Sequence, residues 1–71
     1  MMTAAEGIAE LRGLIAEQLQ QPVVNTAKVK MMLWDICYIA EDGYVNELIA
    51  LRLRRYRRRS VSLRRAGLHG I

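Results

Sequence analysis

Thr26-Ala27-Lys28-Val29-Lys30-Met31-Met32-Leu33-Trp34-Asp35-Ile36-Cys37-Tyr38-Ile39-Ala40-Glu41 is the stretch on which the architecture turns. Val29, Met32, Leu33, Ile36 and Ala40 recur at helical spacing and trace one apolar face. Met31, Trp34 and Tyr38 form a second face, with Cys37 and Ile39 between the two. Only Lys28, Lys30, Asp35 and Glu41 are left to face water. A helix that is apolar nearly all round belongs in the middle of a structure. In so short a chain, the middle is expected to lie between elements of two copies. Asn25 or Thr26 is the expected N-cap, since a short polar side chain there accepts from the first free amides.

Upstream, Thr3-Ala4-Ala5-Glu6 reads as a capping box that opens an earlier helix. Ile8, Leu11, Ile15 and Leu19 make its apolar stripe, widened by Leu14, while Glu10, Arg12, Glu17 and Gln18 fall off it. Gly7 and Gly13 each cost about 1 kcal/mol against alanine in a helix interior, so both are expected to admit a second helix at close range. Pro22 ends the element because it lacks an amide proton and disfavours helix at the residue before it. Val23, Val24 and Asn25 then form a short connection.

Downstream, Glu41-Asp42-Gly43 punctuates the chain. Gly43 is expected to close the second helix at positive φ, with Asp42 capping a third; one bent helix through Gly43 is the alternative. Val45, Leu48, Ile49, Leu53 and Tyr56 mark the next stripe, flanked by Arg52 and Arg55. A helix-turn-helix would place Gly43 in its turn. However, the position four before it, normally small, is Ile39, and of the residues opening the next helix only Asn46 is a natural base reader.

The chain has 71 residues, 52% of them apolar and 25% charged, which suits one small domain. A core of that size needs outside support. Cys37 is the single cysteine and His69 the single histidine, so neither an intrachain disulfide nor a zinc site of cysteine and histidine can supply it. The remaining source is a partner, and the expected fold is all-α: a helical hairpin plus a third basic helix, assembled as a helical homodimer. Residues 1–59 form the helical domain in this reading and residues 60–71 a flexible basic tail. Its dimer core is expected at Val29, Leu33, Ile36, Ala40, Val45, Leu48 and Ile49.

The net charge of +4 conceals a separation. Residues 1–51 carry three basic and seven acidic residues, whereas 52–71 carry eight arginines and no acid. Such a block is an interaction arm rather than a fold element. Arg52, Arg54, Arg55, Arg57, Arg58, Arg59, Arg64 and Arg65 are therefore the candidate contacts to nucleic acid or to an acidic partner. Their guanidinium forks suit phosphate and carboxylate. Neutralising phosphates gives affinity with steep salt dependence and little sequence information.

Catalysis finds no constellation here. Cys37 has no histidine at helical spacing and is expected to be a small buried hydrophobe. There is no Gly-rich phosphate loop, and no cofactor or metal is expected. The apolar runs fall short of the ~18 residues that span a bilayer, so no membrane partner is expected and the cytoplasm is the default compartment.

Two functions follow as expectations. In the first, a small non-enzymatic regulator engages nucleic-acid backbone through its arginine arm. In the second, Trp34, Tyr38, Tyr44 and Tyr56 with selected arginines bind a protein partner, because aromatics and arginine dominate interface hot spots. An inhibitor or adaptor of a bacterial regulatory protein, of the kind phage and plasmid genomes encode, would look like this (an analogy of type).

Overall fold

The structure is a computed structural model that describes residues 2–57. The chain is all-α, with no strand among the described residues. α1 spans Ala4–Leu19 and α2 spans Thr26–Asp42. A third helix, α3, begins at residue 47 and is followed through residue 57.

Local chemistry sets each boundary. The Thr3 hydroxyl accepts from the Glu6 amide at 3.1 Å, and the Thr3 amide donates to the Glu6 carboxylate at 2.9 Å. These two bonds close the capping box, and hydrogen bonding to the Glu6 carboxylate, from the Thr3 backbone amide first and the Thr3 side chain second, holds that carboxyl below its ordinary pKa. α1 ends three residues before Pro22, and Gln18 Oε1 then accepts from the Asn25 amide at 3.2 Å across the connection. Asn25 caps α2 by accepting from the Lys28 amide at 3.1 Å. Gly43 closes α2 at φ 81° and donates its amide to the Ile39 carbonyl at 2.8 Å.

The cap of α3 differs from expectation. Asn46, not Asp42, accepts from the Ile49 amide, at 2.8 Å. The left-handed turn at Gly43 carries the chain three residues further before the next helix can start. The one side chain suited to base reading in the helix-turn-helix comparison is thus occupied in capping.

Leu11 of α1, Met32 and Ile39 of α2, Val45, and Ile49, Leu53 and Tyr56 of α3 form the buried core. Ile8, Leu14, Ile15, Ile36 and Ala50 pack against it. Gly7 lets α1 lie close to the connection after α2: a Cβ there would lie 2.5 Å from Val45 Cγ2 and 3.2 Å from Ile39 Cδ1. Gly13 has nothing within 4 Å of such a Cβ, so its expected close neighbour is absent among the described residues.

α2 is central, but the helices laid on it, α1 and α3, come from its own chain. Leu19, at the end of the α1 stripe, is exposed rather than packed. Cys37 is exposed as well, because α2 turns the face carrying Met32, Asp35 and Ile39 inward and leaves the sector around Cys37 uncovered.

Candidate interaction surface

The most consequential departure from the sequence reading is Asp35. Expected in water, it has no exposed surface. Its Oδ1 accepts from Arg52 Nη1 at 2.7 Å and its Oδ2 accepts from the Tyr56 hydroxyl at 3.0 Å. Both donors come from α3, so a buried charge on α2 is satisfied by the neighbouring helix, as burial of an ion requires. Burial, then the bond to Asp35 and the Asp35 charge, push the Tyr56 hydroxyl up to about 12. The Lys28 ammonium lies 5.9 Å from the centre of the Tyr56 ring and adds a cation–π contact from the first turn of α2. One signal for this cluster was present in the sequence. Asp35 stands three residues after Met32 and four before Ile39, on the stripe that turns inward.

The arginine arm divides accordingly. Arg52 holds Asp35, with a third of its side chain exposed, and Arg57 Nη1 pairs with Glu10 of α1 at 2.9 Å. The run therefore begins as a structural element that fixes α3 against both other helices. Arg54 and Arg55 are exposed and make no ion pair among the described residues. Arg58, Arg59, Arg64, Arg65 and the tail expected at 60–71 lie outside the described residues.

The aromatic candidates separate too. Tyr56 is a core residue with a satisfied hydroxyl, so it is withdrawn from the expected partner surface. Trp34, Tyr38 and Tyr44 stay outside, with Trp34 62% and Tyr38 51% exposed. Of the expected dimer core, Val45 and Ile49 are spent inside the single chain. Val29 and Ile36 are half-buried, while Leu33, Ala40 and Leu48 are exposed. The reason is the placing of α3 over the side of α2 that holds Asp35 and of α1 beside it, which leaves open the Met31, Trp34 and Tyr38 flank and the outer edge at Leu33 and Ala40. Met31 and Leu51 are further exposed apolar residues that extend this surface.

Among the described residues no three histidine, cysteine, aspartate or glutamate side chains converge as a metal site, and no helix is long and apolar enough to cross a membrane. No family model matches the chain, and no curated protein or solved structure matches it.

Proposed function

We propose that this chain is a small non-enzymatic regulatory protein that acts by docking on another protein, with α2 as its contact helix. The observation that carries the reading is the exposure of Trp34 and Tyr38 on a helix whose inward side is already filled. Two half-exposed aromatics on one side of a helix hold apolar area in water at a cost that only a partner removes. The opposite flank, Val29, Leu33, Ile36 and Ala40, repeats at spacings of four, three and four, the pattern of a two-helix seam. We assign it to a homodimer, with the cytoplasm as the compartment of action.

The test is a pull-down from lysate with and without nuclease, using the full chain and Trp34→Ala. A protein retained after nuclease and lost with Trp34→Ala supports the docking reading. A partner released by nuclease and indifferent to Trp34 overturns it.

A second reading, nucleic-acid binding through the arginine arm, is favoured by the exposure of Arg54 and Arg55 and by the absence of any acid in residues 52–71. It takes second place because Arg52 and Arg57 are engaged within the chain, which reduces the phosphates the arm can neutralise. Binding that falls steeply between low and moderate salt, with no preference among DNA sequences, would promote it.

A further inference from the structure

The Asp35–Arg52 pair marks the line along which α2 and α3 meet. From Asp35, Met32 and Ile39 lie rotated one way, by about 40–60° at 100° per residue, and both are buried. Met31 and Tyr38 lie rotated the other way by about the same angle, and both are exposed. α3 repeats the relation around Arg52. Ile49 and Tyr56, three before and four after it, are buried, whereas Leu48 and Arg55, four before and three after, are exposed. The solvent side of the α2–α3 seam is therefore a strip with Met31 and Tyr38 on one bank and Leu48 and Arg55 on the other. The partly exposed Arg52 guanidinium forms its floor, and Trp34 stands beside it on α2.

We propose that this strip receives an acidic amphipathic α-helix of a partner protein. The helix would set its apolar stripe on Met31, Tyr38 and Leu48 and its carboxylates at Arg55 and Arg52. The proposal deepens the protein-docking reading and rests on it. Charge complementarity selects the occupant. The strip's cations are Arg52 and Arg55, and its own buried carboxylate, Asp35, is already taken up. Asp42 is the exposed acid along the same line, at the Gly43 end, so the occupant's acids belong at the far end near Arg55. Arg52 gives one of its five N–H groups to Asp35 and keeps the others for a second carboxylate. A second copy would set the same two arginines against these two, a like-charge opposition. A nucleic-acid backbone would find Arg55 as the one cation of the strip not offset by Asp35, too few contacts for phosphate-driven affinity.

The experiment titrates the ¹⁵N-labelled full chain with a stapled amphipathic peptide helix carrying a leucine stripe flanked by glutamates. The same peptide flanked by lysines and a short DNA duplex are titrated in parallel. Expected are amide shifts at Met31, Trp34, Tyr38 and Leu48 and binding of the glutamate peptide about tenfold tighter than the lysine peptide. In Arg55→Glu, an exposed position, the preference is expected to invert. Equal affinity for the two peptides, no saturation by the glutamate peptide up to about 1 mM, or a preference unchanged in Arg55→Glu overturns the proposal. So do shifts confined to Leu33 and Ala40, a stronger response of the strip to the duplex, or concentration-dependent shifts there without peptide. If Trp34-dependent capture of a protein persists while the peptides fail, the acidic helix falls and the docking reading stands.

Discussion

The Tyr56 hydroxyl donates a 3.0 Å hydrogen bond to Oδ2 of Asp35, whose other oxygen takes Arg52 Nη1 at 2.7 Å. This pair of contacts ties the last described turn of α3 to the middle of α2. It makes the start of the arginine run part of the fold, and it has unequal consequences for its three members.

Removing Arg52 leaves a fully buried carboxylate without its counter-charge. Arg52→Met is expected to cost about 3–5 kcal/mol, and Tyr56→Phe, which loses one bond to a charged acceptor, about 1.5–3 kcal/mol. Arg57→Ala, whose pair with Glu10 sits at the surface, is expected to cost under about 1 kcal/mol. Urea unfolding of the three variants reads the order, and a larger loss for Arg57→Ala than for Arg52→Met would contradict it.

Stability toward alkali follows from the burial of the Tyr56 hydroxyl and from the same bond. Folding raises the Tyr56 pKa from 10.0 to about 12, so its contribution is fully present below pH 10 and is lost as pH climbs toward about 12. Denaturation midpoints measured across that window are expected to fall less in Tyr56→Phe than in the parent chain. A late phenolate absorbance step should vanish in the variant.

The two glycines of α1 are expected to respond oppositely to alanine. At Gly7 the added methyl meets Val45, whose β-branched side chain has little freedom to yield, and overpacking of about 1–3 kcal/mol outweighs the helix-propensity gain of about 1 kcal/mol. At Gly13 the methyl meets nothing within 4 Å, so the gain of up to about 1 kcal/mol stands alone. Thermal melts of the two single variants decide this by sign.

The break between α2 and α3 depends on two residues. Asn46→Ala removes the cap bond to the Ile49 amide and is expected to cost about 1 kcal/mol. Gly43→Ala places a Cβ at φ 81° and is expected to cost about 1–2 kcal/mol despite the open space around it. Chemical denaturation with an unchanged slope checks both, because neither substitution alters the surface exposed on unfolding.

Neighbouring positions on α2 should separate folding from recognition. Trp34→Ala, largely in water, is expected to change monomer stability by no more than about 0.5 kcal/mol, whereas Met32→Ala in the core should cost about 2–5 kcal/mol. A Trp34→Ala chain that unfolds would place the indole in the core and remove the basis for the docking surface.

Much of this arrangement is legible from residue type and spacing alone. The Thr3–Glu6 box, the Asn25 cap and the Gly43 stop act over three or four residues, so the local sequence contains both partners of each contact. Of the stripe Val45, Leu48, Ile49, Leu53 and Tyr56 that leads into and along α3, all but the exposed Leu48 turn inward, since a helix with one apolar side has one way to turn. α2 was different. Apolar on several sides, it offers no unique inward direction, so its pattern alone places Asp35 at the surface and Cys37 inside.

The sequence by itself therefore determined three helices, the ends of the first two and a concentration of arginine after residue 51. Only the tertiary structure decided which side of α2 is inside, and with it the pairing of Asp35 with Arg52 and Tyr56 and the release of Trp34 and Tyr38 to solvent. The physical reason is range. Caps and stops join residues three or four apart, whereas Asp35 meets its donors 17 and 21 residues later, across the turn at Gly43 that sets which sides of the two helices face each other.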